Sequence, residues 1–345
     1  MQKVVTFGEI MVRLSAPDYL MLVQADKYGV SFAGSEANVA VSLANYGIST
    51  DYVTILPDNP IAERCVRELR GLKVGVDNIV RDGDRIGVMY QETGSNGRPS
   101  RVYYDRAGSA FANLKKKQFD WENILTGASW LHWSGITPAL AEYLPQECEK
   151  VLMCAREKGL VVSCDINYRK NLWRYGKKAK DVMPRLLSMC DVIIGNEADC
   201  EDVLGISPSG FDVDHTGGNI DQGMFVSVCR QVMERFPKCR MVALTLRGSI
   251  NANHNTWGGV LYDGQQLYQS PRFEITDIVD RVGAGDSFSA GLIYGLMHYG
   301  VGKDALGFAV ASSCLKHTIK GDYNQVSVDD VERMMEGNTS GRVIR

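Results

Sequence analysis

The residues best suited to chemistry lie in one short segment, DRVGAGDSFSAG, which runs from Asp280 to Gly291 and leads into the apolar sequence LIYGLMHYG. Gly283 and Gly285 leave the backbone bare at the start of a predicted helix, where converging N–H groups bind anions such as phosphate. Asp286 adds a carboxylate in the same small volume. This combination suits transfer of a phosphoryl group to a hydroxyl, because the carboxylate takes the hydroxyl proton while the amides stabilise the phosphoryl charge.

Three other interpretations of this segment have to be weighed. A dinucleotide fingerprint requires GxGxxG, but Phe288 occupies the place of the third glycine. A Walker A loop requires GxxxxGK followed by Ser or Thr, a string that the chain lacks. A glycine-rich turn that caps a helix also fits, with Asp286 favouring the helix dipole. Taken alone, the segment leaves the capping turn and the anion site open.

The overall composition is that of a globular protein and excludes several functional classes. The chain has 345 residues, 45% hydrophobic and 23% charged, which is enough apolar material for a sizeable core. The formal net charge of −3 argues against a nucleic-acid partner, because such proteins display a basic excess. The N-terminal sequence predicts neither a signal peptide nor a membrane anchor, and no apolar run approaches the roughly 20 residues of a spanning helix.

The cysteines indicate a reducing compartment. Their number is odd, no CxxC pair occurs, and several lie inside apolar runs such as VVSCDI. We therefore expect buried, reduced thiols in a cytoplasmic protein rather than disulfides or a metal site. The nine positions are Cys65, Cys148, Cys154, Cys164, Cys190, Cys200, Cys229, Cys239 and Cys314.

Strand-like and helix-like segments alternate along most of the chain. The predicted strands are KVVTFG, DYVTIL, SWLHWSG, LVVSCDI, DVIIGN and MVALTLRG, mostly apolar throughout, as in strands buried on both faces. The helical patterns cover Glu36 to Tyr46, Asn59 to Gly71, Ala139 to Lys158, Ala179 to Met189, Asp221 to Phe236 and Lys303 to Lys316, with an apolar stripe formed by Phe288, Leu292, Leu296 and Tyr299. This alternation predicts a single α/β domain over residues 1–345, with a mostly parallel sheet between helices and a ligand site at the carboxyl ends of its strands.

Two segments interrupt the alternation. Residues of about 10–32 and 79–106 contain strand-like pieces with polar alternation, such as IGVMYQETG and RPSRVYYDR. They predict an antiparallel flap built from two insertions, which we interpret as a lid. The segment 205–223, rich in Gly and Asp, predicts a long loop to which the sequence assigns no role.

Two motifs together resemble a known family. The segment DRVGAGDSFSAGL resembles the C-terminal signature DTxGAGDxFxxG of the ribokinase-like (PfkB) carbohydrate kinases, and FAGSEANVAVSLANYG resembles their N-terminal sugar-binding signature. The likeness extends from Val4 to about Val331. It implies a ribokinase-like three-layer sandwich with a small β-sheet lid and ATP-dependent phosphorylation of a sugar. It also makes a mere capping turn at Asp286 a minor alternative.

Further segments resemble the 2-keto-3-deoxygluconate kinases within that family. These are Arg281-Val282, YYDRAGSA, SGITPAL, DINYRKNLW and LKHTIKGDYNQVS. The chemistry agrees, because an acid sugar carries a carboxylate, for which arginine offers planar bidentate donors. Arg106 and Arg169 follow closely on Tyr104 and Tyr168, at a predicted lid edge and a strand end. The resemblance thus implies phosphorylation of 2-keto-3-deoxygluconate at its 6-hydroxyl, and surface ion pairs are the alternative role of the two arginines.

The resemblance also assigns site residues, with Asp286 as the base and the backbone of Gly283, Ala284 and Gly285 as the anion site. The residues implied for the sugar pocket are Gly34, Asn38, Tyr90, Tyr104, Arg106, Ile136, Arg169 and Asp286. Those implied for the nucleotide are Asn196, Thr245, Arg247, Gly248, Gly283 and Gly285. Asp199, in the sequence NEAD, is the candidate for an Mg²⁺ contact through water. For Lys316 and His317 the adenine side and an ordinary charged helix surface stay open.

Several expectations go beyond the motifs. ATP and Mg²⁺ are expected as co-substrate and cofactor, a monovalent cation is a further candidate, and the lid's apolar strands and edge suggest a homo-oligomer. The alternative functions are a related kinase acting on fructose, another keto-acid sugar or a nucleoside, a sugar-sensing protein without catalysis, and a nicotinamide dehydrogenase. The intact Asp286 and glycine run argue against the sensing protein.

Overall fold

The structure is a computed structural model that describes residues 2–113, 119–207, 222–338 and 341. Its strands are β1 (Lys3–Phe7), β2 (Met11–Ser15), β3 (Gly29–Ala33), β4 (Ser49–Val53), β5 (Ile55–Leu56), β6 (Val80–Arg81), β7 (Gly87–Glu92), β8 (Arg101–Asp105), β9 (Trp130–Ser134), β10 (Val161–Asp165), β11 (Val192–Gly195), β12 (Met241–Asn251), β13 (His254–Tyr262), β14 (Leu267–Gln269) and β15 (Phe273–Ile275). Its helices are α1 (Ser35–Asn45), α2 (Pro60–Gly71), α3 (Trp121–Ile124), α4 (Leu144–Glu157), α5 (Ala179–Leu187), α6 (Glu197–Asp199), α7 (Gln222–Arg235), α8 (Ala284–His298), α9 (Lys303–Lys316) and α10 (Val328–Met335).

A nine-stranded sheet forms the centre of the described chain, in the order β14-β13-β12-β11-β10-β9-β1-β4 with β15 also on β13. The pairs from β4 to β12 are parallel, and β13, β14 and β15 add antiparallel pairs at one end. The mostly parallel sheet expected from the sequence is therefore confirmed. All six predicted strands contribute to it, and DYVTIL supplies β4 and then β5, which pairs with β6 in a separate two-stranded sheet.

Helices cover both faces of this sheet and create two cores. Val5 of β1 lies in a cluster with residues of α4, α5 and α7, whereas the adjacent Val4 lies in a cluster with residues of α1, α8 and α9. Both valines are fully buried. Neighbouring residues of a strand point to opposite faces, so a strand between two helical layers has to be apolar at nearly every position.

The small second sheet has the strand order β3-β2-β7-β8 and comes from the two predicted insertions. Its outer pairs are antiparallel, but the central pair of β2 with β7 is parallel. The expectation of a wholly antiparallel flap was therefore wrong. The reason is that β2 and β7 belong to separate insertions, so no hairpin turn fixes their relative direction.

Most predicted helices are present, with shifted ends. The helix predicted from Ala139 begins at Leu144, after a short 3-10 turn at Thr137–Ala139. Pro145 lies in its first turn, where a missing N–H costs nothing. The helix predicted to end at Met189 ends at Leu187. Most of the predicted 205–223 loop, residues 208–221, lies outside the described residues.

Two global expectations can be compared with the structure. All nine cysteines lie in the described residues, and each is buried and outside any disulfide, as predicted. None of the helices in the described ranges has the length and apolar character that crossing a membrane requires.

Candidate active site

A cleft of about 720 Å³ opens at the carboxyl ends of the parallel strands, between the central sheet and the small sheet. This is where open α/β sheets bind ligands. The predicted site residues that line it are Gly34, Asn38, Tyr104, Arg106, Ile136, Arg169, Asn196, Asp199, Thr245, Arg247, Gly283, Ala284, Gly285 and Asp286. Residues that lie far apart in the sequence thus share one cavity.

Tyr90 is a predicted sugar contact that the structure does not bring to the cleft. Its neighbour Met89 lines the cavity, whereas Tyr90 lies on the other face of the small sheet. There its ring meets the ring of Tyr28, with 6.5 Å between centroids. The two-residue period of a strand explains the correction, since adjacent side chains cannot both face the sugar.

Gly248 is a second correction of the same kind. Arg247 and Ser249 line the cleft, and Gly248 between them does not. A Cβ atom at Gly248 would lie 2.5 Å from Oγ1 of Thr256 and 2.8 Å from a guanidinium nitrogen of Arg272. This glycine therefore allows close packing behind β12 and has no part in the cavity.

Asp286 lies in the first turn of α8, and its carboxylate faces the first turn of α1. The Ser35 hydroxyl donates to its Oδ1 and the Asn38 side-chain amide donates to its Oδ2, both at 2.6 Å. Asn167 in turn donates to the Ser35 oxygen at 3.2 Å. The carboxylate is thus held at the floor of the cleft by neutral donors, with no ion pair to neutralise it among the described contacts.

Burial raises the pKa of Asp286, although the hydrogen bonds from Ser35 and Asn38 favour the charged form and partly offset it. Two other buried carboxyls line the same cleft. The pKa of Asp165 is raised well above its ordinary value by burial and by the charges of Asp199 and Asp286, and burial also raises the pKa of Asp199. Arg169 acts in the opposite direction on all three carboxyls. A carboxyl with a raised pKa is a stronger base than an exposed one, which suits proton abstraction.

The glycines before α8 shape the floor of the cleft. Gly283 has φ +84°, and a Cβ there would lie 2.2 Å from the carbonyl oxygen of Asp322, so the position requires glycine. A Cβ at Gly285 would meet no atom within 4 Å, because this residue borders open space. The first N–H groups of a helix have no partners inside it. The start of α8 therefore presents amides to an empty volume with room for an anion.

Arg247 and Arg281 line the same cleft, and neither forms an ion pair among the described residues. Burial and the nearby charge of Arg247 lower the pKa of Arg281. Arg281 donates to the backbone carbonyls of Asn251 and Ala252, and its Nε is buried without a hydrogen-bond partner among the described residues. Like charges held together, with an orphaned donor, are an arrangement that a bound polyanion stabilises.

The other two predicted arginines differ from each other. Arg106 is buried and donates through Nε and Nη2 to the carboxylate of Glu9. Its guanidinium also lies 5.4 Å from the ring centre of Tyr104. Arg169 is exposed, donates to the backbone carbonyl of Tyr168, and has no ion pair among the described residues. Of the two, Arg169 is therefore the one whose guanidinium has no carboxylate partner among the described ion pairs.

Asn196 and Asp199 form a capping box at the start of α6. Asp199 accepts N–H bonds from Asn196 at 3.2 Å and from Tyr168 at 3.0 Å, and the Asn196 side chain accepts from the Asp199 N–H. The described residues hold no group of three or more His, Cys, Asp or Glu that could bind a metal ion. The carboxylate of Asp199 thus has a structural role in this turn.

Lys316 and His317 are not part of a helix surface. Lys316 is fully buried and His317 is 1% exposed, so the surface alternative was wrong. His317 lines the cleft beside Trp257, with 5.3 Å between ring centroids.

Sequence reasoning missed several polar residues of the cleft. Ser35 and Asn167 orient the carboxylate of Asp286, and Asp165 ends the strand β10. Polar residues directly after a buried strand, as in VVSCDIN, were the signal that would have pointed to Asp165 and Asn167. Asn255 is buried, lines the cleft and has no hydrogen-bond partner for its side chain in the described structure. It lies on β13, which the sequence analysis did not predict.

The sequence profile described as pfkB family carbohydrate kinase matches residues 1–216 and 256–328. The chain belongs to this family of carbohydrate kinases. The fold and the cleft agree with the membership, which the two signature motifs had indicated.

Individual relatives match this carbohydrate kinase over nearly its full length. A crystal structure of 2-dehydro-3-deoxygluconokinase from Thermotoga maritima is 44% identical with a TM-score of 0.92, and the match covers 98% of this chain and 100% of that one. A 2-dehydro-3-deoxygalactonokinase from Haloferax volcanii is 33% identical over 341 residues, which are 98% of both chains. A 2-dehydro-3-deoxygluconokinase from Bacillus subtilis is 25% identical over 322 residues, 93% of this chain and 91% of the relative.

The first prediction concerns Asp286, the expected base of this carbohydrate kinase. Asp286→Asn keeps the shape of the side chain but cannot accept a proton, so we expect kcat to fall by at least ~100-fold. The melting temperature should stay almost unchanged, because the substitution removes a buried charge that burial already disfavours. Steady-state kinetics and thermal denaturation measure the two effects. Unaltered turnover would show that Asp286 only caps α8.

The second prediction concerns pH. The Ser35 hydrogen bond stabilises the charged form of Asp286, so Ser35→Ala should raise the pKa of Asp286 further. The carboxylate then becomes protonated at a higher pH, and the acidic limb of kcat/KM moves toward neutral pH. The exposed Ser49 offers a matched control, since Ser49→Ala should leave the profile in place. An unmoved limb in Ser35→Ala would mean that another group controls it.

Proposed function

We propose that this kinase transfers the γ-phosphoryl group of ATP to the 6-hydroxyl of 2-keto-3-deoxygluconate, which is also called 2-dehydro-3-deoxygluconate. The observation that carries the proposal is the position of Asp286 at the amide-lined start of α8, in one cleft with the unpaired guanidinium of Arg169. A base, an anion site and a separate cation are what phosphorylation of an acid sugar requires. The names of the relatives from Thermotoga and Haloferax support the substrate class.

The reaction follows from these positions. The Asp286 carboxylate accepts the proton of the 6-hydroxyl, whose oxygen forms a bond to the γ-phosphorus while the bond from phosphorus to the bridging oxygen of ADP breaks. The N–H groups of Gly283, Ala284 and Gly285 stabilise the charge on the transferring phosphoryl group, at about 3 kcal/mol per donor by analogy with oxyanion holes. The small sheet acts as a lid that excludes water, so that ATP is not hydrolysed instead.

The nucleotide half of the cleft suits ATP. Open space in front of Gly285, the like-charged pair of Arg247 and Arg281, and the orphaned Nε of Arg281 all fit a polyphosphate. Thr245, Asn196 and the unpartnered amide of Asn255 line the same region. Mg²⁺ would neutralise phosphate charge, and Asp199 would approach it through water, because its carboxylate already binds backbone amides.

The sugar half is bounded by the N-terminal segments and the lid. A Cβ at Gly34 would lie 2.4 Å from the carbonyl oxygen of Glu9. Only glycine therefore lets the turn before α1 pass so close to Glu9. Asn38, Ile136 and Tyr104 line the same part of the cleft. Arg169 would bind the substrate carboxylate, and Arg106 would contribute its remaining Nη1 donors while its other nitrogens hold Glu9.

The third prediction tests the substrate. With ATP and Mg²⁺, we expect the highest kcat/KM on 2-keto-3-deoxygluconate in a panel that includes its C4 epimer 2-keto-3-deoxygalactonate, fructose and a nucleoside. The epimer is the second candidate, because the Haloferax relative is named for it. Faster turnover of fructose than of either acid sugar would contradict the proposal. A coupled assay for ADP measures all four.

The same panel tests the role of Arg169. Arg169→Ala should raise KM for the acid sugar by at least ~10-fold, because it removes a charged hydrogen-bond donor, and should leave KM for ATP nearly unchanged. Arg174→Ala is the matched control, since Arg174 is exposed in the same segment but does not line the cleft. Equal kinetics of the two variants would remove Arg169 from the sugar site.

We also propose that the small sheet pairs with a second copy of the chain. Val30, Leu14, Tyr90 and Tyr103 are opposite one another in the register and form an apolar row across all four strands. The row lies on the face away from the cleft, and Val30 is 40% and Tyr103 51% exposed. Exposed apolar surface on a sheet favours association.

The fourth prediction tests this association. Light scattering after size exclusion should give a mass of at least two chains, and Tyr103→Asp should reduce it to one chain. Met153→Asp is the control, because Met153 is equally exposed on α4 but lies outside the small sheet. A monomeric native protein would contradict the proposal.

We place the enzyme in the cytoplasm. ATP is available there, and nine buried, unpaired cysteines suit a reducing compartment. Fractionation of cells, with enzyme activity as the readout, tests the location, and activity recovered outside the cytoplasm would contradict it.

A further inference from the structure

The last residue of α9 is a lysine with no exposure to solvent. Lys316 donates through Nζ to the carbonyl oxygens of Asp280, at 3.3 Å, and Ile319, at 3.0 Å. Lysines are almost never fully buried unless their charge is compensated. The surroundings of Lys316 must therefore stabilise an ammonium group.

Two carboxylates, Asp280 and Asp322, provide that compensation. Arg13, from the small sheet, forms ion pairs with both Asp280 and Asp322. All three are buried, with exposures of 3%, 6% and 3%. Burial lowers the pKa of Lys316, the charges of Asp280 and Asp322 raise it and offset part of that effect, and the charge of Arg13 lowers it. Two cations and two anions make this buried cluster neutral, whereas without Lys316 it would carry a net negative charge beside the cleft.

The cluster lies directly behind the anion site. The Asp280 carboxylate accepts the N–H groups of Val282 and Gly321, both at 3.1 Å. On the opposite side of the loop, Gly283 packs against the Asp322 backbone. The charge of Lys316 also reaches Asp286 and favours its charged form. Lys316 therefore acts on the loop and on the base without lining the cleft.

We propose that the Lys316 ammonium is a built-in cation of the phosphoryl-transfer site, which positions the loop 280–285 and adds fixed positive charge behind the transferring group. The inference rests on the proposed kinase function. By binding the carbonyl oxygens of Asp280 and Ile319, the ammonium keeps their negative ends away from the incoming phosphate. Preorganised charge of this kind lowers the barrier without direct contact with the substrate, so Lys316 is a positioning residue.

The buried ammonium also affects which cofactors the enzyme needs. Carbonyl and carboxylate oxygens around a buried position are ligands that an alkali cation also prefers. Because Lys316 already occupies the place, the enzyme needs no K⁺ or Na⁺. The monovalent cation considered from the sequence is thus replaced by a side chain.

The experiment first compares the native enzyme in tetramethylammonium buffer with and without added KCl or NaCl at equal ionic strength. We expect the same kcat on 2-keto-3-deoxygluconate, with Mg²⁺ and ATP present throughout. Stimulation by K⁺ or Na⁺ of more than about fivefold would overturn the proposal. Absence of turnover in every salt would instead contradict the proposed function, so the two failures are distinguishable.

The second arm uses two variants and a matched control. Lys316→Ala should lower kcat by at least ~10-fold with little change in the sugar KM, and K⁺, NH₄⁺ or methylammonium should restore part of it. K⁺ should also raise the melting temperature of this variant but not of the native protein, a readout independent of turnover. Lys320→Ala, in the exposed part of the same segment, should behave as the native enzyme.

Lys316→Met keeps most of the side-chain volume but removes the charge. It therefore distinguishes the electrostatic effect of Lys316 from its effect on packing. We expect it to be as inactive as Lys316→Ala without added cation. Full activity of the Met variant would overturn the proposal, and so would a folded Lys316→Ala variant that no cation rescues. If Lys316→Ala does not fold, the salt dependence of the native enzyme and the activity of Lys316→Met still test the proposal.

Discussion

The site depends on keeping one carboxylate charged in a place from which most water is excluded. Asp286 lies at the start of α8 and is buried, which disfavours its charge. The helix dipole and the donors Ser35 and Asn38 compensate, and they do so only because α1 and α8 bring their first turns together. α8 also packs closely against α9, and this packing holds α8 in position. Cβ atoms at Gly291 and Gly295 would lie 2.8 and 2.6 Å from Cα atoms of α9. Packing of three helices thus determines the chemistry of one side chain.

The arginines near the cleft divide into those that hold the protein together and those that face a ligand. Arg13 and Arg106 are buried in ion pairs with carboxylates of the chain. Removing Arg106 would leave the buried Glu9 without a counter-charge, and removing Arg13 would leave Asp280 and Asp322 with Lys316 alone, so either change is destabilising whatever the substrate. Arg169, Arg247 and Arg281 have no such partner among the described ion pairs, so their charge is available to anions. In the proposed mechanism the first of these meets the sugar acid and the other two meet the polyphosphate.

Much of this architecture could be predicted from the sequence, because it depends on local patterns. Apolar runs predicted the parallel strands, and the glycines before Asp286 predicted the anion site. The errors depend on tertiary structure. Tyr90 and Gly248 are adjacent to residues that do line the cleft. The sequence therefore predicted the correct strands but not which residues of each strand face the cleft. Lys316 was expected to be either at the adenine side or on a surface, and two members of the cluster that buries it, Arg13 and Asp280, are far away in the sequence. More of α8 is buried than the predicted apolar stripe indicated, because α1 and α9 cover this helix from two sides.

The two halves of the cleft are built differently, and the difference limits what each can recognise. Backbone amides at the start of α8 respond to negative charge and to little else, since any phosphate can accept their N–H groups. In the proposed mechanism, discrimination between sugars therefore arises from side chains of the N-terminal half and the small sheet. Arg13 connects that sheet to Asp280 and Asp322 behind the amides. The small sheet, which is proposed to cover the sugar, is thus tied by ion pairs to the segment that is proposed to bind the phosphate.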